Sequence, residues 1–525
     1  MKRIIYSIGV LCIVLVSFLY ALQLIQSQVT FGFDQARDAY EAASIWQGHH
    51  IKILGPSSDV SGLNHGVLWY YFLAVAYAVS HGDPDGAAAF MLCLLYMLIP
   101  IIGFITYRLS KNYQITLQTV ILYSFAPLCV SFTHWLSNPT LSLFVTPLVL
   151  FGIWHYIQKQ KPIVAFLLGI GFGLLIQSDF AFLMLLCTVP LYMYFFKLKF
   201  IKSHFFLFSV GLLIALTSFI VSYVKFHTNI FQIILSFLVT NTGGSFSTSG
   251  SLLGLLDGIV NIFSITYMPF PRLLVFCVLL LIVIFHHKKI FDGRNKLILY
   301  LLIWMSGILF LFIFNHGSLG ANFLYAPFLF SAAFLLSLIM NLLITNKVVQ
   351  YAVIILIVIF QIALINNWNT IYYNPLSIQT GITTKFEKDI INYTYKSAQK
   401  KPFVINSITN PLYINTTWAY LYDFYGYNKY HYLPYWGGKD QTGYLGDLPQ
   451  NPPASIILRY FIIEPQEGIS DLWGAKGMYD EDKISDLMET KKFGNYIIQK
   501  RLFHPNKGRI VLPEILINNP KVFNN

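Results

Sequence analysis

Three charged residues stand within five positions just past the first apolar run: Asp34, Arg37 and Asp38, in the hexapeptide Phe33-Asp34-Gln35-Ala36-Arg37-Asp38. Two carboxylates around a guanidinium can take up a proton and hold an anion, or they can simply pair and fix a turn. Residues 4–26 carry no charge and are long enough to cross a bilayer, which takes about 20 apolar residues. Charge is scarce from there to residue 366. A cluster at the far membrane surface therefore reads as a site, with a solvated loop as the bland alternative.

The elements that position the cluster follow from composition. The chain has 525 residues, 56% hydrophobic and 11% charged, against about 25% charged in a soluble protein. Repeated apolar runs make it an α-helical polytopic membrane protein. The first run exceeds the roughly 7–15-residue core of a signal peptide, and no small-x-small cleavage site follows it. The net charge of +12 is no nucleic-acid signal, because it sits mostly in short loops, where it sets orientation. The five cysteines all fall in apolar runs, so the tail cannot form a disulfide and compartment stays unread.

Apolar runs lie near 4–26, 86–107, 115–133, 139–157, 163–177, 180–196, 203–224, 272–287, 297–314, 320–344 and 348–366, with a shorter one at 67–81. If 67–81 lies along the interface, one side of the membrane collects 14 basic residues and one acid, Asp292, up to residue 366; the other side collects four basics and eight acids. Counting 67–81 as a span destroys that bias. The expectation is therefore about 11 spans, N-terminus cytoplasmic and C-terminus outside. The outer face then holds 27–85, Asn138 with Pro139, Gln177 with Ser178 and Asp179, and His316.

In the first outer loop, 36–48 reads as an amphipathic interfacial helix, Gly55-Pro56 as a turn, and 67–81 as a second interfacial helix: a structured lid. The membrane domain is expected over 1–366. Residues 367–525 change to Tyr, Asn, Pro and charge, with strand patterns at 402–408, 455–463 and 496–499 and a helix pattern at 482–492. This segment is expected to form a small extracytoplasmic α/β domain. No nucleotide loop, zinc spacing or internal repeat is present.

With these pieces placed, the chain resembles the GT-C superfamily of polyprenyl-phosphate-dependent glycosyltransferases. Its layout is similar to bacterial relatives of protein O-mannosyltransferases and lipid A aminoarabinose transferases. The matching residues are Phe33 to Asp38, Gly55-Pro56-Ser57, His65-Gly66, Trp69-Tyr70-Tyr71, Ser137-Asn138-Pro139 and Gln177-Ser178-Asp179, and the likeness is best over residues 1–200. The resemblance implies a GT-C fold in a bacterial plasma membrane. It implies transfer of a hexosyl or pentosyl unit, with inversion, from a polyprenyl-phosphate donor to a hydroxyl of a lipid, glycan or protein.

Asp34 has the position of the base that such an acceptor hydroxyl needs. Arg37, Lys52, His65 and Arg272 are candidates for the phosphate leaving group. Asp38, Glu41, Asn138, Gln177, Asp179 and His316 are expected to support the site or meet the acceptor. Arg37 could equally pair with Asp34 or Glu41. Many relatives carry an acid where Asn138 stands and a histidine where Asp179 stands. Asp34 and Asp179 would give a divalent metal two carboxylates, far short of a full shell, so no metal is assigned. A transporter or flippase of a lipid-linked solute is the alternative from another class, but no inverted repeat supports it. An O-antigen-type polymerase or ligase would carry its main polar site in a late loop rather than the first.

Overall fold

The computed structural model describes residues 2–48, 50–58, 62–226, 258–267, 295–314, 321–438 and 443–504, with single positions at 256, 275 and 277. Among the described residues, six helices are long and apolar enough to cross a membrane, or eight if each of two bent pairs counts once. The chain is an integral membrane protein.

In chain order the helices begin with α1 (Lys2–Gln28), α2 (Phe33–Trp46), α3 (Leu68–Val79) and α4 (Pro84–Ser110). Next come α5 (Tyr113–Ser124) and α6 (Pro127–Thr133), bent by 53°. Pro127 explains that break, since a proline excludes its predecessor from helical geometry and removes an N–H. After α7 (Leu141–Lys159), α8 (Pro162–Ser178) and α9 (Thr188–Phe195), helices α10 (Lys202–Ala215) and α11 (Thr217–Phe226) form a second pair bent by 60°. Then follow α12 (Lys296–Met305), α13 (Gly307–Phe314), α14 (Leu329–Leu343) and α15 (Lys347–Thr370).

Of the remaining expected spans, 163–177 and 180–196 are apolar but shorter helices, Pro162–Ser178 and Phe180–Phe195. The run 272–287 lies outside the described residues. Helix α3 has 12 residues; at about 1.5 Å per residue it is too short for a hydrocarbon core of about 30 Å.

The tail adds α16 (Thr384–Ala398), α17 (Thr416–Leu421), α18 (Tyr427–Tyr430) and α19 (Asp471–Asp482) around a five-stranded sheet. Its strands are β1 (Val404–Ile408), β2 (Tyr435–Trp436), β3 (Leu458–Ile463), β4 (Ser485–Phe493) and β5 (Tyr496–Phe503), in the order β2-β1-β3-β5-β4. β1 runs parallel to β2 and β3, while β5 runs antiparallel to β3 and β4. The expected helix at 482–492 is overturned: the helix ends at Asp482, and β4 begins at Ser485. Gly494-Asn495 is a two-residue hairpin turn that pairs Phe493 with Tyr496, with Gly494 at φ 55°. That turn decides the segment.

One apolar core runs through both parts of the chain. Polar contacts fix the tail against the first loop. Lys388 bonds Asp83 at 2.5 Å and Asp85 at 2.7 Å, and the Tyr420 hydroxyl donates to the Gly82 carbonyl at 2.8 Å. The Tyr420 ring also packs on Phe31, Tyr40 and Tyr77.

Candidate active site

The entry to α2 is held from three directions. Thr30 N–H donates to the His134 carbonyl at 2.9 Å, Thr384 N–H donates to the Val29 carbonyl at 3.0 Å, and the Gln35 side chain accepts from Gly32 N–H at 3.1 Å. The buried face of α2 is Ala36, Ala39, Ala42 and Ala43, with Gln35 and Asp38. Those small side chains let the helix pack closely on α3 and α17. The opposite face presents Asp34, Arg37 and Glu41.

Asp34 is 62% exposed and meets Arg37 Nη1 at 2.8 Å. The same guanidinium spans Asp38, with Nε at 2.9 Å and Nη2 at 2.8 Å from Oδ1, and donates to the Ser57 hydroxyl at 3.1 Å. Asp38 is buried, and its second oxygen accepts from Trp69 Nε1 at 2.9 Å. Burial pushes the Asp38 carboxyl up to about 7, against the opposing pull of Arg37 and the Trp69 hydrogen bond. Asp38 is thus the fixed anchor of Arg37, and Asp34 is the carboxylate that reaches solvent.

Arg37 does not pair with Glu41, one of the two partners open in the sequence. Glu41 instead binds Lys52 and accepts from the Tyr444 hydroxyl of the tail. Arg37, Glu41 and Lys52 line an open cavity of about 390 Å³ together with Ile51, Ser57, Tyr70, Lys225 and Phe226.

A second group assembles next to it across the Gly55–Asn64 contact. Asn64 Nδ2 donates to the Gly55 carbonyl at 3.0 Å, and Ser57 bridges to Asn64. Gly66 N–H donates to the Gln177 carbonyl at 3.0 Å. A Cβ on Gly66 would stand 1.8 Å from Gln177 Oε1 and 2.4 Å from its carbonyl oxygen, so only glycine permits this approach. His65 Nδ1 accepts from Phe180 N–H at 3.4 Å and lies 3.9 Å from the Asp179 carboxylate. Asn138 Nδ2 donates to the Ser178 carbonyl, and Gln177 Nε2 to the Ser218 hydroxyl at 2.7 Å.

The expected residues therefore fall into two adjoining sets. One is Asp34, Arg37, Asp38, Glu41 and Lys52; the other is His65, Asn138, Gln177 and Asp179. Arg272 and His316 lie outside the described residues. Among the described residues, no three His, Cys, Asp or Glu side chains gather as a metal shell. Sequence reasoning named Tyr70 among the matching residues without giving it a role, and it passed over Lys225 and Tyr444. Lys225 had one signal, as one of four basic residues on the expected outer side. Tyr444 had none, being 403 positions from Glu41.

ArnT from Cupriavidus metallidurans, in crystals with undecaprenyl phosphate, superposes over 94% of this chain and 98% of its own, with a TM-score of 0.59 and 9% identity. The chain shares the fold of ArnT. ArnT in the apo state matches over 95% and 98%, with a TM-score of 0.56 and 10% identity. The oligosaccharyltransferase AglB from Archaeoglobus fulgidus, in complex with an inhibitory peptide and a dolichol-phosphate, is more distant: TM-score 0.41 and 12% identity over 81% of this chain and 64% of its own. No protein-family profile matches the sequence, and no curated protein does. The charged face of α2 and the His65 loop meet at a cavity beside the membrane helices.

Proposed function

We propose that the protein is a membrane glycosyltransferase that moves a sugar from a polyprenyl-phosphate donor to an acceptor hydroxyl at the extracytoplasmic face. The observation that carries this reading is the exposed Asp34 carboxylate on the same guanidinium that lines the cationic cavity. Likeness to a protein crystallised with undecaprenyl phosphate supports the donor class. The charge bias of the loops supports the face, with the N-terminus cytoplasmic, residues 1–366 as the membrane domain and 367–525 as a domain outside.

The acceptor hydroxyl gives its proton to Asp34 as its oxygen attacks the anomeric carbon. The bond from that carbon to the phosphate oxygen breaks, and its electron pair leaves with the polyprenyl phosphate. One displacement inverts the anomeric centre. Asp34 supplies general-base catalysis, typically about 10²–10⁴-fold. Arg37 and Lys52 meet the charge that develops on the leaving phosphate, and a site that is already charged does so without reorganising. His65 and Asp179 lie where the sugar or acceptor enters. The acceptor is a lipid, a glycan or a protein.

Lipid analysis of cells with and without the active protein tests the reading. A polyprenyl-phosphate sugar should accumulate when the protein is inactive, and its head group names the donor. Unchanged polyprenyl-phosphate lipids would overturn the proposal.

A further inference from the structure

The cavity's cations are unequally matched. Arg37 faces two carboxylates, Asp34 and Asp38, and Lys52 faces Glu41. Lys225 lines the same cavity from a different helix. Among the described residues no carboxylate lies within ion-pair distance of its ammonium, which stands over the Phe226 ring, 5.4 Å from the centroid. The three carboxylates thus engage Arg37 and Lys52, and Lys225 stands apart from them. An anion entering the cavity finds its free positive charge there.

Helix α11 turns one side toward both cavities. Ser218, Phe219 and Ser222 line the small cavity beside His65, and Lys225 and Phe226 line the large one. The spacing 218, 219, 222, 225, 226 is a single helical face. Ile220, Val221, Tyr223 and Val224, on the other side, are exposed apolar or aromatic residues, as a helix against lipid requires. Ile51, beside Lys52 on the cavity wall, is 87% exposed. The lipid chain of a phosphate held at Lys225 would therefore have an apolar path over Phe226 and Ile51, with Arg37 and Lys52 on the same cavity wall.

Resting on the glycosyltransferase reading above, we infer that Lys225 is the cation that receives the phosphate of the polyprenyl carrier, and that Phe226 and Ile51 seat its first isoprene units. Arg37 and Lys52, already engaged with carboxylates, add weaker contacts to the phosphate in the ground state and respond more strongly as charge develops in the transfer. Lys225 grips the carrier in the ground state and holds the released polyprenyl phosphate, the more highly charged product. Lysine suits this task as a compact charge on a flexible stem.

The test uses the purified full-length chain in nanodiscs with undecaprenyl phosphate as probe and undecaprenol as its uncharged counterpart. Lys225→Gln should weaken undecaprenyl phosphate binding about tenfold or more, the scale of one charge-assisted contact. Undecaprenol binding and the thermal midpoint should stay unchanged, and Lys225→Arg should retain most of the affinity. Phe226→Ala should weaken both lipids alike.

Wild-type affinity in Lys225→Gln, with the wild-type protein binding the lipid phosphate, would overturn this inference and leave the glycosyltransferase reading standing. No binding of undecaprenyl phosphate by the wild-type protein would overturn both. Displacement of the lipid by millimolar inorganic phosphate would make the site one for free phosphate and overturn the assignment to the lipid carrier.

Discussion

Arg37 joins the parts of the site that do different things. Its guanidinium is held by buried Asp38, touches Ser57, and carries the exposed Asp34. Arg37→Ala should therefore have two effects. It removes a cation from the cavity, which weakens donor binding and transfer together, because a phosphate partner acts in ground and transition states alike. It also leaves Asp38 buried without a counter-ion, held only by Trp69, which costs about 3–5 kcal/mol. The double variant Arg37→Ala/Asp38→Asn, which has no orphan charge, should recover much of the thermal midpoint but none of the activity. Equal midpoints for the single and double variants would show that Asp38 does not depend on Arg37. This cluster was legible in the sequence because its members are sequence neighbours on one helix. The choice of partner was not, since Asp34, Asp38 and Glu41 all lie within reach along α2, and packing against Trp69 decides among them.

At the scale of elements, two contacts set the site's shape. The loop bearing His65 reaches Gln177 only through Gly66. Gly66→Ala drives a methyl group into backbone as well as side chain, so it should cost about 1–3 kcal/mol and shift His65 away from Asp179. Gly474→Ala, on a half-buried helix with its nearest foreign atom at 3.4 Å, is the control. Comparable thermal midpoints for the two variants would contradict the close approach.

The second contact joins the tail to α2, where the Tyr40 hydroxyl bonds Asp423 and Asp447 N–H donates to the same carboxylate at 3.0 Å. Burial outweighs those bonds and pushes Asp423 from 3.8 up to about 7. A carboxyl raised in the folded state keeps its proton longer when folded. Its stabilisation is therefore complete below about pH 4 and lost as pH rises through 7, on the order of 2 kcal/mol after screening. Asp38 and Glu464 are pushed the same way. The thermal midpoint should fall between pH 5 and pH 8, and Asp423→Asn should remove part of that slope. A full slope in the variant would contradict the assignment.

The elements themselves were readable where periodicity was strong, as in α2, α3, β1, β3 and β5. The expected helix at 482–492 failed because the Gly494-Asn495 turn folds the segment into a hairpin with β5. The entry of Lys225 and Tyr444 into the site depends on packing between distant segments, which a local pattern cannot carry.

At the scale of the whole molecule, helix α3 is central to the topology. Its start contacts α2 through Trp69 and Asp38, and the turn after it contacts the tail through Gly82, Asp83 and Asp85. Both ends thus belong to one assembly, as expected of a helix that does not cross. On a cysteine-free background, Ile51→Cys and His81→Cys should be labelled by an impermeant reagent from the same side, and Lys111→Cys from the other. Opposite labelling of positions 51 and 81 would make α3 a span. The multi-span architecture was legible because hydropathy is a whole-segment signal, whereas the docking of the tail on the first loop was not.

The account stands on Asp34 as the proton acceptor, and single turnover of the donor lipid by Asp34→Asn tests it most directly. The variant keeps the shape of the side chain and loses its basicity. Transfer should fall about 10²–10⁴-fold while undecaprenyl phosphate binding and the thermal midpoint hold. Near-normal turnover in the Asp34→Asn protein would contradict the claim.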